Sequence, residues 1–221
     1  MAPARYRRNR SQNMRRRTFL AAAACSALSP AFAAAAPDVD VEEILNDPAA
    51  PIGGDPKGDV AIVAFLDYNC PFCKKAAPAL AKILADDGHI KLIYKDWPIL
   101  TKASVDGARF ALAAKYQDKY EAAHAAMMAL KGRSTADEMR DAVKAAGVDM
   151  ARLDSDLAAH GADIAGLIKR NNDEATSLGL DGTPVFLIGP FKVAAAIDYD
   201  EFKRVVAQTR ARQKGEEPPP Q

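Results

Sequence analysis

Seven consecutive apolar residues, Val60-Ala61-Ile62-Val63-Ala64-Phe65-Leu66, lie between Gly58 and Asn69. So short a run, rich in β-branched and aromatic side chains, predicts a strand covered on both faces. Beyond it, Ala76, Ala77, Leu80, Ala81 and Leu84 recur at helical spacing, and Gly88 marks the stop. Residues 90–94 predict a second strand. Apolar residues three and four apart then predict helices over 103–116, 120–130, 150–159 and 163–178. Another follows the capping box Thr135-Ala136-Asp137-Glu138 and stops at Gly147. Strand character returns at Val185–Ile188, with a Gly189-Pro190 turn and a hairpin partner over 191–195. Asp198 caps a last helix whose inner face carries Phe202, Val205 and Val206. The order is β-α-β, a block of helices, then β-β-α, with no internal repeat. It predicts an α/β fold: a small sheet with a helical insertion, about 101–179, between its halves.

The ends follow other patterns. Residues 1–36 open with seven arginines and no acid, continue through an alanine-rich apolar stretch, and close on Ala31-Phe32-Ala33. That is the pattern of a cleaved export signal. A membrane anchor fits less well, because alanine is only mildly apolar and Pro30 interrupts the run. Arg16-Arg17-Thr18-Phe19-Leu20 resembles the twin-arginine export motif, although three arginines before an apolar run also serve general secretion. Lipidation at Cys25 lacks the usual large aliphatic residue three positions earlier. Met14 is an alternative start that keeps the arginines. Residues 37–58 form a lead-in, with a short helix at 41–45 broken by Pro48, Pro51, Gly53 and Gly54. The lead-in is too short for an oligomerisation stalk, which favours a monomer. The main domain spans 59–212, and 213–221, with three prolines, form a solvated tail.

Setting the leader aside changes the charge. The whole chain has 30 basic and 29 acidic residues; without the leader's seven arginines, 23 basic residues face 29 acids, a formal charge of −6. Nucleic-acid binding therefore has no electrostatic support. Export also sets the redox compartment, since outside the cytoplasm a dithiol can cycle as a disulfide.

The candidate chemistry lies at Cys70-Pro71-Phe72-Cys73, directly after the first strand. A C-x-x-C that feeds a helix is the sequence form of a redox-active dithiol. Cys70 is expected at the helix N-terminus with its sulfur outward, where unpaired N–H groups and the helix dipole favour a thiolate. Pro71 suits the first helical turn. Cys73 is expected on the same side and deeper, so Cys70 would attack and Cys73 resolve. Lys74 is a candidate to help hold the thiolate; Asp67, if close, would oppose it. Zinc would need about two more ligands, and His89, His124 and His160 are scattered and read as surface or packing residues. A two-cysteine copper(I) site is the remaining metal reading. No cofactor or metal is expected.

Asp67-Tyr68-Asn69-Cys70-Pro71-Phe72-Cys73-Lys74, Tyr94-Lys95-Asp96-Trp97-Pro98-Ile99, Gly182-Thr183-Pro184-Val185-Phe186 and Ala196-Ile197-Asp198-Tyr199 together resemble the DsbA-like periplasmic thiol-disulfide oxidoreductases. The resemblance covers nearly all of residues 59–210. It implies a thioredoxin fold with an inserted all-helical subdomain, and a cis Pro184 facing the sulfurs. It implies that Thr183 offers its backbone to an extended substrate, with Pro71 and Phe72 beside it. The implied partners are unfolded or partly folded secreted proteins and a membrane redox partner of the DsbB or DsbD kind. Two positions depart from the family. Ala64 stands where many members carry a buried acid, and Phe72 stands where strongly oxidising members have histidine. Thr183 is closer to the isomerase branches. The expected activity is disulfide exchange at an intermediate potential. The alternatives are an isomerase or reductase kept reduced by a membrane partner, or a holder of copper or unfolded chains.

Overall fold

Alternation along the first strand builds the molecule. In the computed structural model, which describes residues 40–216, strand β2 (Val60–Leu66) is buried on both faces. Ile62, Ala64 and Leu66 enter one apolar cluster, and Val63 and Phe65 the other. Helix α2 (Pro71–Asp87) covers the first face; helix α1 (Val41–Asn46), through Ile44, covers the second. Strand β3 (Ile90–Asp96) lies parallel to β2, with Ala64 opposite Tyr94 and Leu66 opposite Asp96. β4 (Val185–Ile188) runs antiparallel on the other side of β2 and forms a hairpin with β5 (Phe191–Val193). Helix α8 (Tyr199–Gln213) begins at Asp198, whose side chain accepts from the Glu201 N–H at 2.9 Å.

Strand β1 (Ile52–Gly54) corrects the reading of 37–58 as a plain lead-in. It pairs antiparallel with β3 and completes a five-stranded sheet ordered β1-β3-β2-β4-β5. Ile52-Gly53-Gly54 has no apolar period to read. What fixes it is the open edge of β3 and a close approach: a Cβ on Gly54, at φ +67°, would sit 2.4 Å from the Ile90 carbonyl oxygen.

β3 also runs two residues further than its apolar pattern. Lys95 is fully buried, with its Nζ 2.8 Å from Glu174 and 3.7 Å from Asp47. Asp96 accepts from the Tyr120 hydroxyl at 3.0 Å. Both polar groups extend the strand because partners on α4 and α7, and Asp47 just after α1, satisfy them.

The helical insertion comprises α3 (Lys102–Ala114), a 3₁₀ turn (Lys115–Gln117), α4 (Tyr120–Met128), α5 (Ala136–Ala145), α6 (Met150–Ala159) and α7 (Gly161–Ser177). α5 carries the expected capping box between Thr135 and Glu138. Among the described residues, no helix is long and apolar enough to cross a membrane. The export leader, Cys25 and residues 217–221 lie outside the described residues.

Candidate active site

The chain leaves β2 through a tight turn, and side chains fix that turn from both sides. Asp67 is buried; its carboxylate accepts from Asn69 N–H at 2.7 Å, Leu100 N–H at 2.9 Å and Ser104 Oγ at 2.7 Å. Asn69 reaches the insertion, donating to Thr101 Oγ1 at 2.9 Å and the Ser134 carbonyl at 3.1 Å, and accepting from Ser134 N–H at 2.7 Å. These bonds deliver Cys70 to the N-cap of α2, with Pro71 in the first turn. The insertion thus positions the dithiol without lending it a reactive group.

Cys70 Sγ accepts from the Cys73 N–H at 3.4 Å and lies 3.1 Å from the Thr183 carbonyl, to which it donates when protonated. The Thr183–Pro184 bond is cis, as the resemblance implies, and brings this loop against sulfurs more than a hundred residues away. Cys70 is more covered than an outward sulfur would be: it is 3% exposed, Cys73 is 1% exposed and Phe72 60%. Both cysteines are free thiols.

The two thiols differ sharply. The Cys73 side chain first, then the Thr183 side chain and the Cys73 and Phe72 backbone N–H groups, together outweigh desolvation and pull Cys70 down to about 6. Cys73 goes the other way; burial and the neighbouring Cys70 push its thiol far above the ordinary range. These opposite shifts favour a thiolate at Cys70 and a thiol at Cys73.

Lys74 takes no part in this. Its Nζ donates to the Gly132 carbonyl at 2.6 Å and contacts Ser134 Oγ at 3.3 Å, tying α2 to the α4–α5 loop. The proposed help to the thiolate is corrected accordingly: a backbone carbonyl in the insertion draws the ammonium away. Asp67 likewise spends its carboxylate on the turn.

A groove of about 690 Å³ flanks the dithiol, lined by Phe72, Lys75, Thr183, Pro184, Lys192 and Ala195 among others. Phe72, Thr183 and Pro184 therefore share one surface, and Pro71 begins the adjoining helix. A larger groove, about 820 Å³, lies on the other flank of α2 against α4; it reaches Pro71 and Lys74 but neither sulfur.

A buried polar cluster that no local motif announces sits at the junction with the insertion. The Tyr68 hydroxyl lies 3.0 Å from His124 Nδ1, and Tyr120 donates to Asp96. Burial pushes Asp96 up to about 7 and His124 down to about 4. His124 is a buried packing residue, His160 stacks on Tyr116 at 3.8 Å, and His89 is exposed. Among the described residues, no three His, Cys, Asp or Glu side chains gather as a metal site.

A thioredoxin family model matches residues 46–208. The chain belongs to the thioredoxin family. A thioredoxin-like oxidoreductase from Silicibacter pomeroyi DSS-3 is 34% identical, with a TM-score of 0.73, over 79% of this chain and 98% of that one. A periplasmic thioredoxin-like protein from Salmonella enterica serovar Typhimurium is 29% identical, with a TM-score of 0.67, over 76% and 94%. The thiol-disulfide exchange protein alpha-DsbA2 from Wolbachia pipientis is 30% identical, with a TM-score of 0.71, over 75% and 89%. Curated relatives include a mycobacterial Na⁺/H⁺ antiporter, NhaA 1, of Mycobacterium sp. (strain KMS), 26% identical over 155 residues. The match covers 66% of this chain and about a quarter of the antiporter. The thioredoxin fold with a helical insertion, and its kinship with DsbA-like thiol-disulfide oxidoreductases, are thereby established.

Proposed function

We propose that this thioredoxin-family chain is exported to the periplasm and exchanges disulfides with secreted proteins, Cys70 attacking and Cys73 resolving. The observation that carries the reading is the Cys70 sulfur at the N-cap of α2, 3.4 Å from the Cys73 N–H and 3.1 Å from the Thr183 carbonyl, with the two thiols shifted in opposite directions, Cys70 down to about 6 and Cys73 far up. A substrate thiol or disulfide meets a thiolate at Cys70, and the mixed disulfide is then opened from within by Cys73. An extended segment lying along Thr183 would pair with its backbone, which gives affinity with little sequence demand.

The periplasmic location is supported by the leader's Arg16-Arg17-Thr18-Phe19-Leu20, which favours the twin-arginine route, and by the periplasmic relative from Salmonella. The partners are unfolded or partly folded secreted proteins and a membrane protein that resets the dithiol. The chain works as a monomer.

The test is trapping. Cys73→Ser, expressed with its leader, should accumulate mixed disulfides with periplasmic proteins through Cys70, and Cys70→Ser should accumulate none. If mass spectrometry finds no adduct on Cys73→Ser, the roles are wrong. Tight copper binding without exchange would favour a metal holder instead.

A further inference from the structure

Resolution has a proton to move. Cys73 must lose its hydrogen as it attacks, and burial holds that hydrogen tightly. Many members of the family resemblance above place an acid at position 64; here Ala64 faces the same side of the sheet as Cys73 with nothing to offer. Neighbouring charged groups are committed elsewhere. Asp96 is bonded to Tyr120, Asp67 is filled by three donors, and the Lys74 ammonium is turned to Gly132.

Among the described residues, one unpartnered polar atom is left beside the dithiol. Thr183 Oγ1 is buried and has no hydrogen-bond partner. A buried hydroxyl without a partner is costly and calls for an explanation. The carbonyl of the same residue is 3.1 Å from Cys70 Sγ, which in turn accepts from the Cys73 N–H, so residue 183 sits against the dithiol; its side chain favours the charged form of both thiols.

We propose that the Thr183 hydroxyl is a catalytic proton relay for the resolving step, between the Cys73 thiol and the departing substrate sulfur. This rests on the exchange reading above. In the mixed disulfide, the substrate sulfur is bonded to Cys70 Sγ beside Thr183. As Cys73 attacks Cys70 Sγ, its proton passes to Thr183 Oγ1, and the hydroxyl's own proton passes to the substrate sulfur. The Cys70–Cys73 S–S bond forms and the Cys70–substrate S–S bond breaks. The substrate leaves as a thiol, the threonine ends as it began, and no outside oxidant enters. Formation of the mixed disulfide makes no use of this route, because Cys70 is already a thiolate.

The experiment separates the two half-reactions by rapid-quench, using a peptide disulfide as the probe. Thr183→Val keeps the shape and removes the hydroxyl. Loss of the hydroxyl also raises the Cys70 thiol, so formation of the mixed disulfide serves as the internal reference: resolution should slow about tenfold or more beyond any change in formation, at the low end of proton-transfer catalysis. Thr183→Ser should restore resolution to within about threefold, since its hydroxyl can relay in the same way. Resolution at the wild-type rate in Thr183→Val, or equal slowing of both steps, overturns the relay. A proton inventory on the unmodified protein is an independent check: two protons in flight make the resolution rate curve with deuterium fraction, and a straight line refutes the proposal. A wild type that forms no mixed disulfide at all would instead overturn the exchange reading.

Discussion

The pH profile of Cys70 is the most direct measure of the site. The perturbation is pH itself, and the readout is alkylation of reduced protein by iodoacetamide, with Cys70 followed by peptide mapping. With a thiol pulled down to about 6, about nine-tenths of Cys70 is thiolate at pH 7, against about 3% for an ordinary thiol near 8.5. That is a gain of about thirtyfold in reactive species. Nucleophilicity falls with pKa, however, with a Brønsted slope of about 0.4–0.5, and over about 2.5 pH units this removes about ten- to eighteenfold. The net advantage at pH 7 is therefore only about two- to threefold. At pH 5 the ordinary thiol has lost nearly all its thiolate and Cys70 keeps about a tenth, so the advantage grows to about fifteen- to thirtyfold. At pH 9 both are mostly ionised, and Cys70 becomes the slower of the two by about tenfold.

Steric cover at Cys70 scales all these ratios equally, so the argument depends on the slope and not on the absolute rate. Cys73 should resist alkylation throughout. The largest contribution to the low value comes from the Cys73 side chain, so Cys73→Ala should move the midpoint upward toward the ordinary range. A rate ratio that stays constant between pH 5 and 9, or a midpoint above about 8, would refute the reasoning. An unchanged midpoint in Cys73→Ala would show that the thiol–thiolate bond is not what lowers it.

Two further outcomes follow from the geometry. Asp96 has a folded-state value raised to about 7 by burial, so its contribution to stability is fully present below about 4 and is lost as pH rises through about 7, on the order of 4 kcal/mol in all. Asp96→Asn keeps an acceptor for Tyr120, so urea melts should show it gaining on the wild type between pH 5 and pH 8; a difference that does not change with pH sinks the assignment. The opposite slope from His124, lost as pH falls from about 6.5 toward 4, is common to both proteins and cancels. The reduction potential in glutathione buffer should lie near −230 mV, by roughly linear interpolation between thioredoxin (about 7, about −270 mV) and DsbA (about 3.5, about −120 mV). A value at thioredoxin's would remove the oxidase reading.

The dithiol was legible in the sequence because its signals are local: an apolar run, two cysteines one turn apart and a proline at the helix start. Thr183-Pro184 is not local, and only the resemblance linked it to the cysteines. The supports of the site were hidden for a physical reason. Asn69 meets Ser134 and Asp67 meets Leu100 and Ser104 across more than thirty residues, and polar residues that pair in three dimensions look like any solvated residue in one. Lys95 and Asp96 concealed the end of β3 in the same way: their charges argue for a loop until Glu174 and Tyr120 are seen beside them. β1 had no pattern at all, since two of its three residues are glycines and a neighbouring edge holds it.

The direction of electron flow depends on how the reduced pair is stabilised. The Cys73 thiol donates to Cys70, and this one contact both lowers Cys70 and raises Cys73. The reduced dithiol therefore holds a single charge, and forming a disulfide forfeits the bonds that stabilise it. Every such stabilisation makes the oxidised protein readier to pass its disulfide on. Yet the lowering contributions at Cys70 are neutral dipoles: a thiol, a hydroxyl and two backbone amides. The one cation nearby in sequence, Lys74, is anchored on the insertion, and position 72 supplies a ring in place of an imidazolium. Neutral donors stabilise a thiolate less than a fixed positive charge does. On the proposed exchange reading, the site should give up its disulfide more readily than thioredoxin and less readily than DsbA, and a partner that resets it would then decide whether it runs as an oxidant or a reductant.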